Sequence, residues 1–236
     1  MRKVIILLLV LNCNNLLGLD ANGMLKQVDE AMYPTQITYT AEMTIYRPKK
    51  EYKKLMRVYI KGYDKALVEF LEPPKERGLK ILMKEDDVWM YLPSVEKVVR
   101  LTGRMKMMGG EFVHDDIMRV RLSLDYNAES LQQEDNHCIL QLNAKNKKVT
   151  YDKIKYWIRE DNYLPVKAEF YTIGGKLLKI LKYSEPKKFG ERLMPSKLIM
   201  ENAFTKDYKT TLEIISCDYS YIPDRLFTQE YLKKGL

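Results

Sequence analysis

The best candidate in the sequence for acid–base or metal chemistry surrounds His114. His114, Asp115 and Asp116 are consecutive, and Glu111 lies three residues earlier. An imidazole beside carboxylates can act as a general base or help to bind a metal ion. The chain has only two histidines, however, and lacks the Gly-x-Ser-x-Gly, His-Glu-x-x-His and Cys-His patterns of hydrolases and zinc sites. We therefore expect a protein that is not an enzyme and has no metal and no cofactor; a hydrolase around His114 is the alternative.

The composition favours a folded, strand-rich protein. Of the 236 residues, 46% are hydrophobic and 11% aromatic, which is enough apolar side chain to bury a core. This excludes a disordered tail, a collagen-like repeat and a small disulfide scaffold. The 17 tyrosines favour strands over a helical bundle.

The first residues have the order of features typical of a secretory signal. A basic start, Arg2 and Lys3, is followed by an apolar run at residues 4–11 and a short polar stretch that ends at Gly18. We interpret residues 1–18 as a signal peptide and residues 19–236 as one exported domain, because no linker-like stretch divides the rest. Cleavage removes two of the 40 basic residues and leaves 38 against 32 acidic ones. This scattered net charge of +6 predicts no nucleic-acid partner.

The three cysteines leave alternatives open. Cys13 ends a stretch, residues 10–13, that resembles a lipobox, so it could become a lipidated N-terminus that anchors the chain to a membrane, although Asn12 stands where a small residue is usual. Cys138 and Cys217 could form a disulfide in an oxidising compartment or remain two buried thiols.

The period of the hydrophobic pattern, which indicates the helices and strands, changes after the first element. Caps at residues 20–22 predict a short amphipathic helix with Leu25 and Met32 on one face, ended by Pro34. From residue 37 onward apolar and polar residues alternate between breakers that recur every dozen or so residues. We expect about ten or eleven antiparallel strands, arranged as a barrel or a sandwich.

Four strands allow faces to be assigned. In residues 56–60 one face is apolar, and in the next strand Val68 and Phe70 lie opposite Glu69, so each strand has one dry and one wet face. A two-residue turn at residues 86–87 joins two further strands. In that register the apolar face pairs Met83 with Met90 and Ile81 with Leu92, and the other face carries Trp89 and Tyr91.

Residues 103–119 fit neither the helical nor the strand period. We interpret them as a flexible, methionine-rich loop that leads into a short helical turn. The residues of interest in the loop are Met105, Met107, Met108, Gly109, Gly110 and Phe112.

An ordered set of short stretches resembles one known family. The most specific is Val-Trp-Met-Tyr-Leu-Pro-Ser at residues 88–94. The others are residues 28–30 with Tyr33-Pro34, residues 65–74, Arg77-Gly78, residues 107–112 with Asp116, residues 163–166 and residues 223–228. In this order they are similar to the LolA-like outer-membrane lipoprotein-sorting proteins, over nearly all of the chain after the signal. Glu111 and His114 depart from the family pattern, so preferences for a head group do not carry over.

The resemblance implies a fold and a function. The fold is mainly β, a single unclosed antiparallel β-barrel whose apolar cavity is covered by short helices. The function is that of a periplasmic carrier that shelters the acyl chains of a lipoprotein or another lipid on the way to the outer membrane. The implied partners are an inner-membrane lipid exporter and an outer-membrane acceptor; a non-catalytic envelope adaptor with the same scaffold is the alternative.

The carrier interpretation assigns three groups of residues. Acyl chains need a dry concave wall, and flexible methionines adapt to different chains. We expect the cavity at Val68, Phe70, Ile81, Met83, Met90 and Leu92, and a lid in the methionine-rich loop. We expect Arg57, Arg100 and Arg104 at the cavity rim, where they would steer a head group or a partner.

Overall fold

The structure, a computed structural model, describes residues 20–234. The signal peptide and the alternative lipidation at Cys13 lie outside these residues and stay predictions. Within residues 20–234 no helix is both long and apolar enough to cross a membrane.

A single antiparallel sheet of thirteen strands forms the body of the molecule. The strands β1 to β13 are Gln36–Arg47, Lys50–Lys61, Lys65–Glu72, Lys80–Lys84, Asp87–Leu92, Lys97–Leu101, Tyr126–Glu134, His137–Ala144, Lys153–Arg159, Pro165–Tyr171, Leu177–Phe189, Arg192–Asn202 and Lys209–Asp218. Their order is β6-β5-β4-β3-β2-β1-β13-β12-β11-β10-β9-β8-β7. Because β6 and β7 at the two edges do not pair with each other, the barrel is unclosed, as the resemblance implied.

The expected count of ten or eleven strands is too low. The edge strand β6 has no buried side chain, so its apolar and polar residues do not alternate clearly. The edge strand β7 alternates only at its start. In β7 a bulge between Ala128 and Ser130 also interrupts the period. The sequence pattern alone therefore identifies neither strand.

The helices are few and short, and those that precede β7 lie on the concave face. The predicted N-terminal helix is α1, Ala21–Met32, whose N-cap Asp20 accepts a hydrogen bond from the Gly23 amide at 2.6 Å. Two further short helices, α2 (His114–Met118) and α3 (Leu122–Asp125), follow the methionine-rich loop. Residues 102–125, which we call the plug, connect the two edges of the sheet and fill the concave side beside α1.

The hairpin between β4 and β5 has a different register from the one expected. Ile81 pairs with Met90 and Met83 with Val88, so the turn lies at Glu85 and Asp86 rather than at 86–87. Glu85 takes the positive φ of 57° that a tight two-residue turn requires. The partner of each residue is shifted by two positions, an even number. Ile81, Met83, Met90 and Leu92 therefore still share the concave face.

The expected wet face of β3 is covered instead, together with the same face of β4. Leu67 and Leu82, on the convex face, are buried with Ile222, Phe227 and Leu232 of the C-terminal segment. A 3₁₀ turn at Asp224–Phe227 and α4 (Gln229–Lys234) carry that segment across the sheet. Trp89 and Tyr91 pack against the same cluster, as expected for large strand residues beside a helix. The sequence motif at residues 223–228 therefore has a structural role.

Candidate functional site

A cavity of about 670 Å³, a volume that includes the open solvent at its mouth, lies between the plug, the end of α1 and strands β9 to β11. Its apolar wall comes from both sides, from the plug and from the sheet. The aliphatic and phenyl side chains of this wall are those of Val120, Leu122, Val149, Ile154, Ala168, Phe170 and Leu181. Such a wall has the composition typical of a site for an apolar ligand.

A second, smaller cavity of about 460 Å³ adjoins the first. Tyr33, Asp116 and Val120 line both, so these three side chains separate the two spaces. The remaining wall of the second cavity is almost wholly apolar and comes from α1, α2 and strands β1, β12 and β13: Met32, Ile37, Tyr39, Ile117, Met194, Pro195, Leu198, Leu212 and Ile214.

Tyrosines give the first cavity a polar but uncharged lining. Burial raises the pKa of each one, so their hydroxyls stay protonated at neutral pH. The Tyr151 ring stacks against Phe170 at 4.3 Å between centroids, and its hydroxyl donates to Asp116 Oδ2 at 3.1 Å. The five are Tyr33, Tyr126, Tyr151, Tyr156 and Tyr183.

Charged side chains surround the mouth of the first cavity. Arg119 lies 3.7 Å from Asp115 Oδ1 and 3.6 Å from Asp125 Oδ1; Arg119 and Asp125 are partly exposed, whereas Asp115 is buried. Deeper in, burial raises the pKa of Asp116 to about 6, although Lys179 Nζ is 3.9 Å away. The cavity is thus apolar at its base and ionic at its opening.

The carboxylates of the His114 cluster are engaged in hydrogen bonds within the plug and between the plug and the rest of the fold. Asp115 accepts from Thr150 Oγ1 at 2.6 Å, and Asp116 accepts from the Val113 amide at 2.7 Å. Glu111 is buried and accepts from Lys106 and from Asn202 Nδ2, the latter at 2.9 Å. His114 is buried, and its Nδ1 has no hydrogen-bond partner within residues 20–234. The imidazole is therefore not oriented by an acid, as a catalytic triad requires.

No metal site forms from these groups within residues 20–234: no three histidine, cysteine or carboxylate side chains are grouped to hold an ion. Cys138 and Cys217 are not joined by a disulfide. Cys138 is buried on β8 and Cys217 is half-buried on β13, which are separated by several strands of the sheet.

Comparison with known proteins assigns the chain to a family. Residues 62–234 match the model of a family described as uncharacterized protein. The chain belongs to that family. No curated protein matches the chain.

Solved structures are similar over almost the whole molecule. A LolA superfamily protein from Nitrosomonas europaea is 29% identical, with a TM-score of 0.81 over 90% of this chain and 99% of that one. Its fold confirms the resemblance to LolA-like proteins. A putative outer membrane lipoprotein-sorting protein domain from Vibrio parahaemolyticus has a TM-score of 0.77 at 22% identity, over 91% and 98% of the two chains. A DUF1329 family protein from Desulfovibrio piger has a TM-score of 0.79 at 21% identity, over 90% of this chain and 97% of that one.

The six side chains expected to line the cavity lie together in this LolA-like sheet, but beside neither cavity. Val68, Ile81 and Met90 are neighbours on β3, β4 and β5. Phe70 and Met83 are buried on the same face, and Met90 and Leu92 are half-buried against the same core. Buried residues of the plug, among them Phe112 and Ile117, belong to that core as well. This half of the sheet is packed, and the open volume lies in the other half.

The expected lid loop is attached at several points. Met107 and Phe112 are buried, whereas Met105 is 48% exposed and Met108 half-buried. The Arg47 guanidinium donates to the Gly109 carbonyl, and Gly110 leaves little space beside Thr210 Oγ1, which a Cβ atom would approach to 3.1 Å. The loop therefore packs as part of the plug.

Only one of the three rim arginines lies near the mouth of either cavity beneath the plug, although Arg57 lines a groove on the convex face. Arg57 is exposed on the convex face of β2, and Arg100 on β6 binds Asp87 on the convex side. Arg104 donates to the carbonyl of Val149, which lines the first cavity, at 2.9 Å. The mouth residue that the sequence did not reveal is Arg119, which follows a helix too short to show a period.

Proposed function

We propose that this protein carries lipid acyl chains across the periplasm, either those of a lipoprotein or those of another lipid, in the cavity beneath the plug. The observation that supports the proposal most is the cavity itself. It has an apolar base formed by side chains such as Ile154, Ala168 and Phe170, and it opens through an ionic mouth at Arg119. A lipid needs both a dry wall for its chain and a polar exit for its head group. Each buried CH₂ contributes about 0.8 kcal/mol, so an ordinary chain would bind firmly.

The neighbouring second cavity extends the proposal. Val120 and Tyr33 stand between the two spaces, and both belong to elements that cover the sheet rather than to the sheet itself. Displacement of the plug by an entering chain would open a longer apolar channel toward Met194 and Leu198. We further propose that an inner-membrane exporter loads the cavity and an outer-membrane acceptor empties it, in keeping with the sorting role named for the Vibrio domain.

The test is lipid binding by the purified protein. Protein isolated from a bacterial envelope should release lipid on extraction with organic solvent, identified by mass spectrometry. Binding of a fluorescent acyl probe should weaken about tenfold in Ala168→Phe, because the new ring occupies the volume that three or more methylenes would fill. The matched control is Ala203→Phe, the same change at an exposed loop position.

A second variant keeps the test interpretable if Ala168→Phe does not fold. Phe170→Ala enlarges the cavity, so it should bind longer chains relatively more tightly than the wild type does. Melting temperatures establish that each variant is folded. If no lipid is extracted and neither cavity variant changes probe binding, the carrier proposal is wrong and the adaptor alternative is supported.

A further inference from the structure

Five loops form one edge of the molecule, beside the mouth of the first cavity. They are residues 48–50, 104–110, 145–148, 173–176 and 203–208, and we call them the basic rim. Four of them are connections of the sheet: β1 to β2, β8 to β9, β10 to β11 and β12 to β13. The sheet order places these connections next to one another, and the fifth loop is the methionine-rich part of the plug.

Contacts between the loops show that they form a continuous surface. Lys176 Nζ lies 4.5 Å from the centroid of the Phe204 ring, which joins two of the loops. Arg104 binds the carbonyls of Lys147 and Val149, which joins the plug to the β8–β9 loop. Arg47, just before residues 48–50, reaches the Gly109 carbonyl. The rim is therefore one surface rather than five separate turns.

The charge of the basic rim is strongly one-sided. Only one residue in the five loops is acidic, Asp207. Nine are basic: Lys49, Lys50, Arg104, Lys106, Lys145, Lys147, Lys148, Lys176 and Lys206. Of these nine only Lys106 and Lys148 form ion pairs within residues 20–234, with Glu111 and Asp86. Elsewhere on the sheet lysines and carboxylates alternate and pair, for example Lys182 with Glu201.

Three large apolar side chains project from the same loops. Ile173 is 74% exposed, Phe204 58% and Met105 48%. Each stands on a different loop, and each has a lysine or arginine within three residues in its own loop. A protein interface would be expected to gather such residues into one buried patch. Separate apolar tips among cations are instead typical of surfaces that enter the head-group region of a bilayer.

We propose that the basic rim docks onto a bilayer with anionic head groups, with its lysines on the lipid phosphates and the tips of Ile173 and Phe204 in the acyl boundary. Val149, Thr150 and Tyr151 continue directly from the rim loop 145–148 and line the first cavity. Docking therefore turns the cavity mouth toward the lipid. That consequence rests on the proposed carrier function, whereas the docking itself does not.

The experiment is sedimentation with sucrose-loaded vesicles. The protein should sediment with vesicles that contain about a third phosphatidylglycerol, and much less with pure phosphatidylcholine or at high salt. The double variant Ile173→Ser/Phe204→Ser should lose about tenfold in affinity, and Lys49→Glu/Lys50→Glu at least as much. All variants keep the same N-terminus, so any contribution from that end cancels.

Matched controls separate the rim from nonspecific adhesion. Tyr63→Ser/Ile215→Ser removes two comparably exposed apolar residues outside the rim, and Lys187→Glu/Lys188→Glu reverses a lysine pair on the strand β11. Both controls should sediment like the wild type. Ala168→Phe should also sediment normally, which distinguishes a failure of docking from a failure of acyl binding. Equal losses in rim and control variants would overturn the proposal. So would rim-dependent capture of an envelope protein without any vesicle binding, which would assign the surface to a protein partner.

Discussion

Arg119, which follows α2, donates from Nη2 to Oδ1 of Asp86 at 3.0 Å. The other oxygen of Asp86 accepts from Lys148 Nζ at 2.6 Å. Asp86 lies in the β4–β5 turn and Lys148 in the β8–β9 loop, so one carboxylate connects two distant strand pairs of the open sheet through the plug. This connection crosses the molecule beside the ionic mouth of the cavity.

We expect Asp86→Asn to loosen the cavity mouth. The hydrogen bonds from Lys148 and Arg119 lower the pKa of Asp86, so its contribution to stability is present above the unfolded pKa near 4 and is lost as the pH falls below it. Because the carboxylate is half exposed, the loss in unfolding free energy should be only about 1 kcal/mol. Release of an acyl probe, measured by stopped flow, should accelerate.

The control for this prediction is Asp87→Asn, which breaks the exposed pair with Arg100 on the convex side. It should leave probe release unchanged. The difference between the two variants should shrink in high salt, because exposed ion pairs are screened. Identical release rates in wild type and Asp86→Asn would show that this contact does not limit the opening.

We expect Asp29→Ala to detach α1 from the plug. Asp29 accepts from the amides of Leu122 and Ser123, at 3.1 and 2.8 Å, and so caps the first turn of α3. Loss of both bonds leaves two partly buried amides without these partners and should reduce the unfolding free energy by about 1–2 kcal/mol. Hydrogen exchange at residues 122–125 should rise. Glu30→Ala, at the next and exposed position, should change neither quantity.

The sequence predicted the strands in which apolar and polar residues alternate because only one face is buried. Met56, Val58 and Ile60 are buried on the concave face because a strand with one covered face must alternate. The same reasoning missed the burial of Leu67 and Leu82, because their cover is a segment more than 130 residues away in the chain. Long-range contacts of this kind leave no local period.

The location of the open volume was harder to predict than the fold. Ile81 and Met83 on one half of the sheet and Ile154 and Phe170 on the other are all buried on the concave face. An apolar inward position has the same appearance in a sequence whether a plug fills the space or leaves it open. What decides is the path of the plug, which depends on polar contacts such as that of Asp115 with Thr150.

We expect Gly103→Ala to displace the plug. A Cβ atom at Gly103 would lie 1.9 Å from Oδ1 of Asp115, and the Gly103 carbonyl already accepts from the Asp115 amide at 3.0 Å. The clash should break the bond from Thr150 to Asp115 and lower the unfolding free energy by about 1–3 kcal/mol. Gly174→Ala is the control, since a Cβ there meets only Thr172 Oγ1, at 4.0 Å. Chemical denaturation should separate the two variants; equal midpoints would contradict the role of this close approach.

We expect His114 to make the folded protein sensitive to acid. Burial lowers the pKa of His114 to about 4, from an ordinary value near 6.5, and its Nδ1 has no partner to stabilise a charge. Between these two values the unfolded chain binds the proton more readily than the folded one. The stability from neutral His114 is therefore complete above pH 6.5 and is lost as the pH falls toward 4, by up to about 3 kcal/mol.

In His114→Leu that part of the acid sensitivity should disappear, so the stability curves of variant and wild type should converge at pH 7 and separate toward pH 4. Denaturation midpoints at half-unit steps of pH measure the separation. The same substitution at His137, the other histidine, tests whether the effect belongs to this site. Parallel curves would show that His114 does not stay neutral in the folded state. Acyl-probe binding at pH 7 should be unchanged in His114→Leu, because a neutral buried side chain replaces another; loss of a hydrolytic activity in this variant would instead support an enzyme.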